Sequence, residues 1–540
     1  MSNIIQILST LPGKIPERLR QADQRWHDLR HLARTPVPQV VRESATLLGS
    51  VDWDVAICGG TLGILLGAAL AQQGWRVVLL ERGVLQGRQQ EWNISRAELK
   101  VLVELGLLSE KELEEAIATQ FNPNRIQFGD GPAFWVRDVL NVGVDPVYLL
   151  ATLKEKFMAA GGTLLEHRAV QGVVIHPDGV EVQATTPLKA RLMLDAMGHG
   201  SPVVAQARQG QLPAGMCLVV GTCAQGIPTR DQGDLLVSLT PIQAHSQYFW
   251  EAFPARDGRT TYLFTYADLH PQRPSLEQLF EDYWEQLPDY QGVSPSQVQI
   301  QRALFGLFPS YDQSPLQLPW ARTLAVGDSS GSQSPLSFGG FGAMIRHLRR
   351  LTAGIDQALA CDALSASDLA LLQPYQPNLS VTWLFQEAMR SPIPQPRDPD
   401  RINQLLNRVF AAMADLGDPV LKPFLQDVVQ FGALAQTLGL ITWRYPQRSP
   451  ELVAQLGLPA LGSWFIHFCQ LGLYNELDRL EPLLQPWIAK LPQIQQYRWQ
   501  RRLDTWHYGS GHDDHVRSLP ATPDVSIPGS PKSKINVNLR

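Results

Sequence analysis

Residues 52–83, DWDVAICGGTLGILLGAALAQQGWRVVLLERG, decide how this chain folds. Val55–Cys58 is a short apolar run with β-branched residues, and the glycines after it break the run. Small apolar residues from about Leu62 to Gln73 suit a buried helix, and Arg76–Leu80 reads as a second strand ending in Glu81. Positions 55–75 carry no formal charge and are long enough to cross a bilayer, but the glycines divide them into a strand and a helix. The reading is a βα unit feeding a parallel strand.

The glycines have mechanical tasks. Gly60 lets backbone approach a pyrophosphate, Gly63 lets the helix pack closely on the first strand, and the helix N-terminus offers free N–H groups to phosphate. In the G-x-G-x-x-G register the first position is Cys58, and Gly59 supplies the turn instead. Glu81 lies about 20 residues on, where an acid accepts hydrogen bonds from a ribose. The unit predicts dinucleotide binding.

Two later stretches belong with it. LMLDAMGHGSPVV (192–204) is a strand ending in Asp195-Ala196-Met197-Gly198, and RTLAVGDSSGSQSPLSFGGFGAMIRHLRRL (322–351) is a strand, Leu324–Val326, that stops at Gly327-Asp328 before a helix beginning near Gly340. As a set, over residues 52–350, these motifs resemble the FAD-dependent oxidoreductases of the p-hydroxybenzoate-hydroxylase-like fold. The resemblance implies FAD, with Gly59, Gly60, Gly63, Glu81 and Arg82 on the adenosine half and Gly327 and Asp328 on the ribityl-pyrophosphate. Pro335, Gly339, Gly340 and Gly342 would border the isoalloxazine. No second glycine-rich strand–helix fingerprint follows, so NAD(P)H is expected only as a transient reductant.

ERGVLQGRQQEWNISRAEL (81–99) is more particular, as are ICGGTLGILLGAAL (57–70) and QYFWEAFP (247–254). Together they look like the lycopene cyclases of the CruA/CruP type, with the CruP branch favoured by length. Arg88 is then a candidate for FAD phosphate or substrate-loop contact, and Trp92 and Asn93 lie on the loop facing the flavin. The resemblance implies a redox-neutral cyclisation of lycopene or a related carotenoid, with reduced FAD as the active form.

The candidate acid is Glu251, set in SQYFWEAFPA (246–255). On a strand Phe249, Glu251 and Phe253 share one face, and Tyr248, Trp250 and Ala252 the other. FWEAFPARDGRTTYLFTYAD predicts a hairpin of strands 246–254 and 259–267 joined through Asp257-Gly258, the second strand bringing Tyr262, Phe264 and Tyr266 to one face. A carboxyl between aromatics holds its proton by desolvation. Phe249, Trp250, Phe253, Tyr262 and Phe264 are therefore candidate substrate-lining residues. Phe249-Trp250-Glu251-Ala252-Phe253 also resembles the acidic F-L-E-E-T motif of plant and bacterial lycopene cyclases, with Ala252 in place of the second acid. Three roles stay open for Glu251: catalytic acid, a residue positioning flavin or substrate, and a structural or solvated strand residue.

The expected fold is α/β (α+β): an FAD-binding Rossmann-like ββα domain, an antiparallel-sheet substrate domain and an added helical region. The division is 1–50, an N-terminal helical segment; 51–210 and 321–360, the two parts of the FAD domain; 211–320, the substrate domain; 361–507, a helical accessory domain; and 508–540, a Gly/Ser/Pro-rich disordered tail. The 540 residues carry a net charge of −5 and dispersed Lys and Arg, which gives no reason to expect a nucleic-acid partner. Five cysteines without C-x-x-C spacing suggest neither disulfides nor a metal site, and the N-terminus does not read as a secretory signal. The expected location is cytoplasmic, peripheral to a carotenoid-containing thylakoid or plasma membrane. Uncharged residues 452–475 read either as buried accessory helices or as a membrane-surface contact. Competing functions are an FAD-dependent isoprenoid reductase or monooxygenase, and a flavin-containing carotenoid-binding protein with little turnover.

Overall fold

A computed structural model describes residues 3–31, 36–228, 230–312, 314–337, 339–394, 396, 398–448 and 458–512. The strand Trp53–Cys58, helix Gly63–Gln72 and strand Val77–Leu80 form within a residue or two of expectation. They join a sheet in the spatial order Val41–Glu43, Gly172–Ile175, Val180–Gln183, Leu188–Asp195, Trp53–Cys58, Val77–Leu80 and Thr163–Leu165, with Thr323–Ala325 also on Leu188–Asp195. Thus the three motif strands are neighbours and release their loops at one edge. Gly63 is needed for this packing, because a Cβ there would lie 2.8 Å from Ile57 Cγ2. Gly59 takes φ +103°, and a side chain would strike the Ala196 carbonyl at 2.4 Å.

The second sheet runs Gln299–Ser310, Gly215–Gln225, Gly258–Ala267, Phe249–Ala255, Gly233–Ser238, Asn124–Phe128 and Phe134–Val136. The predicted hairpin is present, but Ala255 pairs with Gly258, so Arg256-Asp257 forms the turn. One face packs against helices Asn3–Ser9, Ile15–Arg30 and Leu276–Gln291 through Trp250, Leu263, Val220 and Tyr283. The other face, carrying Phe249 and Phe264, is covered by helices Arg401–Leu416 and Asp418–Leu425. A small third sheet of Trp92–Ile94, Val142–Val144 and Ile117–Gln120 abuts the end of the Glu251 strand, where Thr119 Oγ1 donates to the Pro254 carbonyl at 2.9 Å.

The linear division needs three amendments. The segment 1–50 contributes a strand, Val41–Glu43, to the nucleotide sheet, and its helices belong to the substrate sheet's core. Strands Asn124–Phe128 and Phe134–Val136, assigned above to the FAD domain, extend the substrate sheet. The helices after residue 361 are not appended: Arg401–Leu416 roofs the Glu251 face, and Gln493–Gly509 packs back on Gly340–Ala360, with Arg501 Nη1 donating to the Arg350 carbonyl at 3.3 Å. Residues 513–540 of the tail lie outside the described residues.

Candidate active site

At the nucleotide end, Glu81 accepts hydrogen bonds from the Gly60 amide (2.9 Å) and the Gly83 amide (3.0 Å), one on each oxygen. Each oxygen keeps a lone pair for a ribose hydroxyl. A Cβ on Gly60 would sit 2.7 Å from Leu85 and 3.2 Å from the Glu81 carboxylate, so only glycine leaves the turn open. Arg82 and Arg88 are both exposed on the segment after this strand.

Asp195 is fully buried and holds the other two motifs together. It accepts from the Met197 amide (3.0 Å) and from Ser329 Oγ (3.1 Å), which stands next to Asp328. Burial pushes its carboxyl up, and these donors oppose that shift. Gly327 adopts φ +58°, and Asp328 follows with Oδ1 buried and without a hydrogen-bond partner. An orphaned carboxylate oxygen is costly unless a donor arrives, and a ribityl hydroxyl is such a donor. Gly340 begins the helix Gly340–Ala360, and a Cβ there would lie 1.8 Å from that oxygen. Gly339 caps the helix and Gly342 has open space around it, which leaves this helix end free for a planar group.

Glu251 lies 8% exposed on the roofed face of the substrate sheet, opposite Tyr262. Phe249 and Phe264 stack at 5.6 Å on one side of it, and Phe253 and Tyr262 approach to 6.1 Å on the other. Among the described residues no cation pairs with it, and its hydrogen bond is from Asn93 Nδ2 to Oε1 at 2.9 Å. Burial raises its carboxyl to about 7, against the opposing effect of Asn93. Trp250, expected to line the substrate, does not: strand alternation turns it to the far face, against Tyr290 (4.5 Å) and Tyr283 (5.5 Å). Trp92 is also structural on one side, its ring 4.6 Å from Phe341 at the start of the long helix.

Segment 331–337 links these two ends. Tyr266, on the Glu251 face, donates its hydroxyl to the Leu336 carbonyl, and Gln386 Nε2 donates to the Pro335 carbonyl at 2.7 Å. The segment walls a small, partly open pocket whose lining includes Cys217, Phe308, Tyr311, Ser334, Pro335 and Trp383. Cys217 sits on the strand beside Tyr266, and the Glu251 charge is felt at both. The pocket, Trp383 and Gln386 escaped the sequence reading. None carries a motif signal, since helix 382–389 meets this segment only in three dimensions.

A glycine-rich turn at the mouth of one sheet, an acid and a helix end from a distant motif, and an antiparallel sheet packed beside them define the fold of FAD-binding flavoproteins. No protein-family profile matches the chain, and no curated protein matches its sequence. Among solved structures it is similar to the halogenase PltM, with TM-score 0.53 and 14% identity over 86% of this chain and 99% of that one. It is also similar to PltM in complex with phloroglucinol and FAD, with TM-score 0.51 and 15% identity over 85% and 96%. A geranylgeranyl bacteriochlorophyll reductase-like protein from Thermoplasma acidophilum aligns at TM-score 0.49 and 15% identity, covering 77% of this chain and 99% of that one. At such identities the likeness establishes the fold.

Proposed function

We propose that this chain is an FAD-dependent, lycopene cyclase-like enzyme of carotenoid biosynthesis, in which Glu251 protonates an end group of an acyclic polyene. The observation that carries the reading is the buried Glu251 carboxyl on an aromatic face, with no cationic partner among the described residues and its pKa pushed up by burial to about 7. A carboxyl in that state is protonated near neutral pH, yet becomes a stronger acid as soon as a developing positive charge comes close. Phe249, Phe253, Tyr262 and Phe264 surround it, and ring faces stabilise such a charge by about 0.5–2 kcal/mol per contact. Asn93 serves both states of the acid. Its amide N–H holds the carboxylate left after transfer, while its Oδ1, buried and unpartnered, can accept the acid proton after the amide turns.

The chain's residues fit FAD: Glu81 and the Gly60 turn for the adenosine half, the unpartnered Asp328 oxygen for the ribityl chain, and Pro335 with Gly339, Gly340 and Gly342 beside the ring. When bound in its reduced form, with NAD(P)H as a transient reductant, FAD would supply negative charge that favours a developing cation without net electron transfer. Gln386 and Tyr266 hold segment 331–337 in place for it.

The substrate is dissolved in lipid, and the outer surface suits that source. Phe465, Ile466 and Leu473 on helix Leu458–Asp478 and Leu483 and Trp487 on helix Glu481–Ile488 are each at least 45% exposed. Such side chains insert into a membrane surface. Among the described residues no helix is long and apolar enough to cross a membrane.

A second reading, an FAD-dependent isoprenoid reductase or monooxygenase, is favoured by the fold shared with a halogenase solved with FAD. Expression in lycopene-accumulating cells separates the two by mass. Cyclised pigment of unchanged mass that disappears in Glu251→Gln supports the cyclase. Two added hydrogens support a reductase and one added oxygen a monooxygenase, and either overturns the cyclase. Ligand returned intact points to a carotenoid-binding protein.

A further inference from the structure

Glycine weakens the interior of a strand, and where it stands there it marks a bulge, a bend or a close approach. On the face that carries Glu251, the substrate sheet has two in strand interiors, Gly221 and Gly306. Strand pairing aligns Glu251, Tyr262, Gly221 and Leu304 in one row across four strands, and Phe249, Phe264, Val219 and Gly306 in the next. Tyr266, Cys217 and Phe308 form a third row. At both glycines an aromatic ring lies where a side chain would be. A Cβ on Gly221 would sit 2.7 Å from Tyr262 Cδ1, and a Cβ on Gly306 would sit 2.6 Å from Phe308 Cε2 and 2.9 Å from Cζ. Phe308 is two residues along the same strand, on the same face, so its ring is folded back over Gly306 instead of standing up from the sheet.

The folded-back ring is one wall of the pocket beside segment 331–337, together with Cys217, Pro335, Leu379 and Trp383. Three serines of the same lining have their donors engaged within the protein: Ser310 Oγ donates to Gln386 Oε1 at 2.7 Å, Ser380 Oγ to the Gln376 carbonyl at 3.3 Å, and Ser314 Oγ to the Gly331 carbonyl. Phe308, Cys217, Pro335, Leu379 and the Trp383 ring therefore present apolar surface to a ligand. From this pocket the sheet leads inward. Strand Gln299–Ser310 is its half-buried edge, whereas Cys217, Val219, Phe264, Tyr266 and Phe249 are buried. No charged side chain stands in the three rows between Phe308 and Glu251, and the Tyr266 hydroxyl is bonded to the Leu336 carbonyl. Three strand spacings of about 4.8 Å and four residues of about 3.4 Å separate Phe308 from Glu251, roughly 20 Å on the diagonal. A long, stiff hydrocarbon spans that length, and a compact ligand does not.

We propose that Phe308, laid flat on Gly306, determines the specificity of this site for a long linear polyene: the chain enters over the ring at the edge of the sheet and runs inward, so that its end group reaches Glu251. The inference rests on the cyclase reading for what happens at Glu251, and on the contact between Gly306 and Phe308 for the entrance. Gly306 contributes by what it lacks. Any side chain there lifts the ring into the pocket and narrows the way in. Gly221 serves Tyr262 in the same manner, but a Cβ at that position would also lie 2.3 Å from the Thr261 carbonyl oxygen, so a substitution there disturbs backbone and makes a poor probe. At Gly306 the three nearest atoms all belong to the Phe308 ring, which can swing while the strand keeps its pairing.

The test uses the full-length, FAD-loaded protein and lycopene in detergent micelles, with two readouts: cyclised pigment, and binding followed by quenching of tryptophan fluorescence. One methylene too many in an apolar pocket changes discrimination by about 10–200-fold. Gly306→Ala should raise the KM for lycopene, and weaken its quenching, within that range, while kcat and flavin absorbance stay at the wild-type level. The double variant Gly306→Ala/Phe308→Ala removes the ring that the new methyl group displaces, so its KM should return toward wild type. A variant that had simply lost its fold would gain nothing from the second substitution. Wild-type KM in Gly306→Ala, or a double variant no better than the single one, overturns the assignment and leaves the cyclase reading standing. A wild-type protein that forms no ring, yet binds lycopene with the Gly306→Ala penalty and its rescue both visible in the quenching, overturns the cyclase reading and supports the entrance. A wild-type protein that neither binds nor cyclises lycopene overturns both.

Discussion

Asn93 Nδ2 donates to Glu251 Oε1 across 2.9 Å, tying the segment after the nucleotide-binding strand to the substrate sheet. A donor to a carboxylate stabilises the charged form, so this bond works against the burial that raises the Glu251 pKa to about 7. Asn93→Leu removes the donor and leaves the burial. The carboxyl should then remain protonated to higher pH, moving the alkaline limb of the activity profile upward. Infrared titration of the buried carboxyl band, wild type against Asn93→Leu, checks the shift directly; a band that titrates at the same pH in both contradicts this account.

Glu251 also makes the fold sensitive to pH. Its pKa rises from an ordinary 4.5 to about 7 on folding, so its stabilising contribution is complete below about pH 4.5 and is lost as pH rises through about 7. That loss amounts to about 3 kcal/mol. Glu251→Gln keeps a neutral side chain at all pH values. Its Tm relative to wild type should climb between pH 5 and pH 8 and level off above, with flavin absorbance unchanged. Parallel Tm curves would mean that the wild-type carboxyl ionises freely.

Asp328 and Gly340 should fail in the same way. Asp328→Ala deletes the oxygen that awaits a donor, and a hydrogen bond to a charged group contributes about 1.5–3 kcal/mol, equivalent to roughly 10–100-fold in FAD affinity. Gly340→Ala places a methyl group 1.8 Å from the same oxygen and must displace it. Fluorescence titration of flavin into each apoprotein should show similar weakening. Gly439→Ala, on helix Phe431–Arg444 with open space at its Cβ and no part in the nucleotide site, should bind FAD like wild type.

The nucleotide half was legible because its constraints are local. Gly59, Gly60 and Gly63 sit where backbone crowding excludes a side chain, and Glu81 follows one strand later, so spacing alone places them. The alternation of Phe249, Glu251 and Phe253 also specified their shared face. Nothing local says which face receives a roof. Helix Arg401–Leu416 meets Phe249 across about 150 residues of sequence, and Gln386 meets Pro335 across about 50, so neither contact leaves a periodic trace. The same reasoning explains Trp250: its aromatic character suggested a substrate wall, and only the position of helix Leu276–Gln291 shows that it belongs to the opposite core.

Trp250 therefore provides a control against every variant on the Glu251 face. Its ring is fully buried between Tyr283 and Tyr290, and Trp250→Ala should destabilise the fold by about 3–5 kcal/mol. Its indole N–H is buried without a hydrogen-bond partner, so Trp250→Phe removes an unsatisfied donor while keeping most of the apolar contact. That variant should lie within about 1.5 kcal/mol of wild type in urea unfolding. Because Trp250 lies on the face of the sheet opposite Glu251, substrate KM should stay at the wild-type value in Trp250→Phe and rise in Phe249→Ala or Phe253→Ala, whose rings flank the acid. A KM that rises in Trp250→Phe while urea unfolding is unchanged would put the indole on the substrate path and reverse the assignment of the two faces.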